Sequence, residues 1–206
     1  MKNRIAVLDY GIGNLASVAK ALESIGADVN LVDSQFPLSH YSGLVLPGVG
    51  SFGACVKALR NVGFHDVIYE AVGRSLPTLG VCVGLQMLYE GSDESPNEAG
   101  LGIIEGRIEL LKTNLRIPQM QWNRIAIQDR FSKSPLFSGL GQETWMYFVH
   151  SYGAPVGVDT SAISNYGHDF TAAIQKGNLF GTQFHPEKSS TDGLTMLANF
   201  VRISSI

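Results

Sequence analysis

The first half of the chain alternates short apolar runs with amphipathic stretches. Ile5 to Asp9, Val29 to Val32, Gly43 to Leu46 and Thr78 to Cys82 are compact runs of strand length. Between them, Asn14 to Ile25 sets Leu15, Val18, Ala19, Leu22 and Ile25 on one helical face, with Gly26 as its stop. Two further helices are expected from about Phe52 to Arg60 and from Phe64 to Gly73. Strands and helices in alternation predict a parallel sheet covered by helices on both faces. The second half is richer in strands: Gly106 to Leu111, Trp145 to His150, Thr171 to Gln175 and Leu179 to Phe184 read as extended. A final helix carries Leu194, Leu197, Ala198 and Val201 on one side, and Gly91 to Gly100 reads as a surface loop. No repeat, low-complexity run or composition break marks a boundary, so residues 1–206 are expected to form a single domain.

Composition narrows the classes. A formal charge of −3 favours neither nucleic acid nor an anionic membrane as partner. No apolar run approaches the ~18 residues a membrane span needs. Two cysteines, Cys55 and Cys82, and no signal-like segment before Ile5 predict a reducing, cytoplasmic setting. The 23 glycines exceed average usage of ~7%, and many follow apolar runs, where strand-to-helix turns need them.

The most specific local signal is Gly80-Val81-Cys82-Val83-Gly84. An apolar strand ends there, and a helix-like run from Leu85 to Glu90 follows. This is the layout of a nucleophile elbow, with a thiol where the G-x-S-x-G version has a hydroxyl. A thiolate is the reactive form, and a helix N-terminus favours it. The same five residues also fit a buried cysteine acting as a small apolar side chain.

Gly11-Ile12-Gly13-Asn14-Leu15-Ala16, with Asp33 22 residues on, and Gly48-Val49-Gly50-Ser51-Phe52-Gly53 both fit a loose dinucleotide fingerprint. Each also fits a plain tight turn, or a turn whose N–H groups hold an anion or oxyanion. Gln183-Phe184-His185-Pro186-Glu187-Lys188 brings a histidine to a strand end, and Pro186 stops the strand. If the backbone stays extended, Glu187 and His185 face the same side, and the carboxylate orients the imidazole. A surface histidine and a helix-start carboxylate are the alternative. A cysteine, a histidine and an orienting carboxylate at predicted sheet edges are the parts of a thiol acyl-transfer site. His150 is expected to wall that site; His40, His65 and His168 are expected at the surface, and Cys55 in packing. No cluster has metal-ligand spacing, so no metal is expected, and no cofactor. Another triad hydrolase, a nucleotide-binding module and an inert scaffold are competing readings.

These motifs resemble the class I, triad glutamine amidotransferases. Five segments carry a closer likeness, to the glutaminase subunits of imidazole glycerol phosphate synthases. They are Asp9 to Leu15, Leu46 to Gly53, the elbow through Gln86, Tyr147 to Tyr152, and Gly181 to Ser189. The resemblance implies a flavodoxin-like, doubly wound, mostly parallel α/β sheet with an added strand-rich C-terminal half. It implies hydrolysis of glutamine to glutamate and ammonia by Cys82, His185 and Glu187. The oxyanion would be held by backbone N–H groups of Val83 and of Val49 or Gly50. Gly50, Gln86, Glu94, Ser151 and Tyr152 would bind the glutamine. The ammonia would pass to a (β/α)8 cyclase subunit in a heterodimer, and the cyclase ligand would stimulate the glutaminase. This chain has Pro118-Gln119-Met120-Gln121-Trp122-Asn123 where the family usually has Pro-His-Met-Gly-Trp-Asn, in a segment the resemblance places at the barrel interface. That departure leaves room for a paralogue serving a different barrel partner, such as one for surface-sugar amidination.

Overall fold

The structure is a computed structural model that describes residues 4–141 and 144–205. In chain order its elements are β1 (Arg4–Leu8), α1 (Leu15–Ser24), β2 (Asp28–Val32), β3 (Gly43–Gly48), α2 (Phe52–Val62), α3 (Phe64–Gly73), β4 (Thr78–Cys82), α4 (Val83–Met87), β5 (Gly91–Ser92), β6 (Arg107–Leu110), β7 (Gln119–Ile127), β8 (Thr144–His150), β9 (Tyr152–Gly153), β10 (Thr160–Asn165), β11 (Asp169–Lys176), β12 (Leu179–Thr182) and α5 (Ser190–Ile203). One sheet of nine strands runs β2-β1-β3-β4-β12-β11-β10-β7-β8. From β2 to β12 the neighbours are parallel, in the 2-1-3-4-5 order of flavodoxin-like folds. From β12 to β8 they are antiparallel. A small second sheet joins β5, β6 and β9.

The parallel half is continuous in its apolar runs because it is covered on both faces. Ile5 to Leu8, Leu44 to Leu46 and all of β4 are buried. Helix α1 turns Val18, Ala19, Ala21 and Leu22 inward, α2 contributes Phe52, Cys55, Val56 and Leu59, and α5 contributes Met196, Leu197, Phe200 and Val201.

Two of the longer strands escape sequence patterning. In β7 the pattern is inverted, with Met120 and Trp122 exposed and Gln119 buried, because the strand lies near the free end of the sheet. β10 is built from Thr160, Ser161, Ala162 and Ser164, all buried. Two of its hydroxyls find partners on other strands: Thr160 pairs with Thr171 at 2.8 Å, and Ser164 donates to the Arg124 carbonyl at 2.7 Å. The expected surface loop from Gly91 to Gly100 begins instead with β5, which pairs with β6 and buries Ser92.

Candidate active site

The ends of β3, β4 and β12 converge on one cleft of about 400 Å3. The last register pair of β3 and β4 is Gly48 with Cys82, which brings the Pro47 to Gly50 turn beside the cysteine. Cys82 has φ +54° and ψ −112°, a conformation that a residue with a side chain rarely adopts. Such strain persists only where the surroundings enforce it. Here they do. A Cβ at Gly80 would lie 2.9 Å from the Gly84 carbonyl group, and one at Gly84 would collide with the Leu46 carbonyl. The two flanking glycines therefore let α4 sit directly on β3 and β4, and the sharp turn between β4 and α4 pushes the thiol toward the cleft.

His185 follows β12 and is 2% exposed. Its backbone is tied on both sides: its N–H donates to the Tyr147 carbonyl at 2.9 Å, and its carbonyl accepts from the Ser189 hydroxyl at 2.6 Å. The Ser189 oxygen accepts in turn from the Tyr147 N–H at 2.9 Å, so β8 and Ser189 together fix the histidine. Nδ1 of His185 lies 2.8 Å from Glu187 Oε1. The backbone is not extended between them, because Pro186–Lys188 form a 3-10 turn. The pair forms through that turn, with both side chains almost fully buried.

Burial by itself pushes the His185 pKa down. Hydrogen bonds to the Cys82 sulfur and to the Glu187 carboxylate, with the charges of both, outweigh it and hold the imidazole up to about 10. The imidazolium is thus the favoured form between a sulfur and a carboxylate.

The other expected residues fall around this centre. Val49, Gly50, Val83, Gln86, Glu94, Ser151 and Tyr152 all line the cleft with Cys82 and His185. Among the described residues, the N–H groups of Val49 and Gly50 donate to no acceptor. Glu94 accepts at 2.7 Å from the N–H of Phe52, the first residue of α2, and Ser95 accepts from Gly53 at 3.2 Å. The loop is thereby pinned to a helix N-terminus, with a carboxylate at the cleft. Gln86 spends its amide NH2 on the Tyr152 carbonyl (2.9 Å) and on Gln183 Oε1 (3.0 Å), which leaves its own carbonyl oxygen for a ligand.

Sequence reasoning passed over Gln183, Ser189, Pro118, Val149 and Lys188. Gln183 is fully buried, and its amide Nε2 points at Cys82 Sγ from 3.8 Å. A period of two along an extended segment puts residues 183 and 185 on one side, and that signal could have found it. Pro118, Val149 and Lys188 line the cleft and follow no local pattern.

His150 does wall the cleft. Its Nδ1 lies 2.9 Å from the Tyr152 carbonyl and its Nε2 lies 2.9 Å from the Gln119 side-chain amide. Desolvation pushes its pKa down to about 4, against the opposing carbonyl bond and with help from the nearby His185 charge. A neutral imidazole has one N–H. With that proton on Nδ1, the Gln119 amide turns its NH2 to Nε2, which also supplies the partner its nitrogen otherwise lacks. Gln119 is therefore a buried residue behind the cleft, while Gln121 is exposed on β7. His40 is exposed, but His65 and His168 are partly buried, and Cys55 is fully buried in α2. Among the described residues no group of His, Cys, Asp or Glu could hold a metal ion, and no helix is long and apolar enough to cross a membrane.

A strained cysteine, a histidine beside it in the same cleft and a buried carboxylate behind the histidine, all on a flavodoxin-like sheet, define a thiol-triad class. The chain belongs to the class-I glutamine amidotransferases, whose family model it matches over residues 6–203. Within that family it is similar to proteins named imidazole glycerol phosphate synthase subunit HisH. The relative from Deinococcus radiodurans is 43% identical over 202 residues, covering 96% of this chain and 93% of the relative. The one from Synechococcus sp. (strain JA-3-3Ab) is 47% identical over 204 residues, with the same coverage of 96% and 93%. Among solved structures, PurLQS from Thermotoga maritima shares the fold with a TM-score of 0.78 at 20% identity, covering 98% of this chain and 99% of that one.

Proposed function

We propose that this chain is the glutaminase subunit of an imidazole glycerol phosphate synthase, acting as a single unit in the cytoplasm. The observation that carries the chemistry is the strained Cys82 sharing one cleft with a His185 that Glu187 holds at 2.8 Å. The Cys82 thiolate attacks the side-chain amide carbon of glutamine. The oxyanion forms against backbone N–H groups of Val83 and of the Val49-Gly50 turn, each worth ~10²–10³ in rate. The His185 imidazolium gives its proton to the leaving nitrogen, ammonia departs, and a thioester remains on Cys82. Water, activated by the now neutral His185, releases glutamate and regenerates the thiolate and imidazolium. Glu94 and the free carbonyl oxygen of Gln86 would take the α-ammonium of glutamine, with Ser151 and Tyr152 around the α-carboxylate.

The ammonia acceptor is a (β/α)8 cyclase subunit that forms a heterodimer with this chain. The names of the relatives support that reading, and a surface feature supports the docking. Met120, Trp122 and Trp145 are exposed, and β7 and β8 pair Trp122 with Tyr147 and Met120 with Val149. These residues make an apolar outer face whose Val149 end reaches the cleft. Such a face next to a reactive centre suits a partner that must receive a small neutral product away from water.

The test is glutamate release from glutamine, first by the chain alone and then with the cyclase subunit and its nucleotide ligand. Near-silence alone and strong release in the mixture are expected. Silence in both, with Cys82 still labelled by an electrophilic glutamine analogue, would assign the chain to a different barrel partner, with exposed Gln121 as the first residue to exchange.

A further inference from the structure

A buried pair behind the cleft has no part in the chemistry above. Tyr10, just after β1, donates its hydroxyl to the Pro47 carbonyl at 2.6 Å. Cys55, on α2, donates its thiol to the Val49 carbonyl at 3.2 Å. Both side chains are buried, Cys55 completely. They grip the two ends of the Pro47 to Gly50 turn from beneath.

A peptide group is planar and trans, so its C=O and N–H point in opposite directions. Holding the Val49 oxygen under the turn aims the Gly50 N–H the other way, toward the cleft that Gly50 lines with Cys82. That N–H has no acceptor among the described residues. Gly50 has φ +83° and open space around its Cα, so nothing at the glycine itself resists rotation of this peptide. The restraint has to come from the other end of the peptide, and Cys55 supplies it. We propose that Cys55, assisted by Tyr10, is a positioning residue that locks the Val49-Gly50 peptide with its N–H presented to the developing oxyanion.

Burial raises the Cys55 pKa above the ordinary thiol value, the leading influence on it, so the sulfur keeps the proton it donates. The role differs from that of Cys82: Cys55 touches neither substrate nor reacting atoms, and it acts only through the Val49 carbonyl.

The proposal rests on the glutaminase reading and is tested in the assembled heterodimer with three variants. Cys55→Val fills the site but cannot donate, Cys55→Ala neither fills nor donates, and Cys55→Ser restores a donor. A drop in kcat of about 10- to 100-fold is expected for Val and Ala, with KM for glutamine unchanged. Cys55→Ser is expected to recover most of the loss. Because packing alone would favour Val over Ser, the order Ser above Val is the signature of the hydrogen bond. Wild-type kcat in Cys55→Val, or a loss in Ser as deep as in Val, overturns the proposal. If the unmodified heterodimer releases no glutamate, it is the glutaminase reading that fails. Tyr10→Phe, which removes only the second grip, is expected to give a smaller loss of the same kind, and an effect on KM alone would count against it.

Discussion

Replacing Glu187 by Gln keeps the shape of the buried pair and removes its charge. In the structure the carboxylate oxygen is 2.8 Å from His185 Nδ1, and both side chains are shielded from water. Two unit charges about 4 Å apart, centre to centre, attract by about 4 kcal/mol at an effective dielectric constant near 20. At 1.36 kcal/mol per pK unit, losing that attraction lowers the titration of the pair by about 2 to 3 units. The starting point is a His185 held up to about 10. The alkaline limb of kcat/KM is therefore expected to move from near that value to near neutrality. Gln can also donate to Nδ1 and so select the wrong tautomer, which in a triad costs as much as ~10⁴ in kcat. Glu187 does not line the cleft, so KM for glutamine is expected to hold.

A second readout follows from linkage. A histidine pKa raised on folding stabilises the protein fully below the unfolded value of about 6.5, and that stabilisation is lost as pH rises through the folded value. The thermal stability deficit of Glu187→Gln is thus expected to be larger at pH 6 than near pH 10. The assay is glutamate release over a series of glutamine concentrations at each pH in this range, in the presence of the cyclase subunit, alongside thermal unfolding. A variant that keeps kcat within about threefold of the parent, with an unmoved alkaline limb, would refute the role given to Glu187.

Three further outcomes are expected. Cys82→Ser abolishes glutamine-dependent ammonia release while leaving partner binding intact, measured by activity and by co-elution with the cyclase subunit; persistent release would mean another nucleophile. His150 stays neutral in the fold down to about pH 4, whereas it takes a proton near pH 6.5 when unfolded. Stability is therefore lost as pH falls through that window, by about 3 kcal/mol, and His150→Gln is expected to flatten the loss in unfolding curves taken at pH 7 and pH 4.5. Gly84→Ala forces a methyl group into the Leu46 carbonyl and is expected to destabilise the fold by about 3 kcal/mol, seen as a lower denaturation midpoint; a neutral effect would mean that α4 can withdraw from β3.

Local patterning determined a good part of this protein. The parallel half was legible because buried central strands read as unbroken apolar runs, and covering helices as one-sided ones. The elbow was legible because its glycines answer steric demands made within a few residues of Cys82. His185 and Glu187 could be paired from their spacing, although the backbone links them through a 3-10 turn rather than an extended segment. β7 and β10 were not legible: one shows its apolar residues to solvent, and the other buries hydroxyls that find partners far along the chain. The sequence also singled out Gln119 as a departure but could not say where its side chain goes; the β7–β8 register sets it opposite His150, inside the protein. What tertiary structure alone decided is the convergence itself. Cys82, the Pro47 to Gly50 turn and His185 meet because β3, β4 and β12 are neighbours in register, and Tyr10 reaches that turn only through packing against it. Such placements depend on contacts between residues tens of positions apart, and no local propensity encodes them.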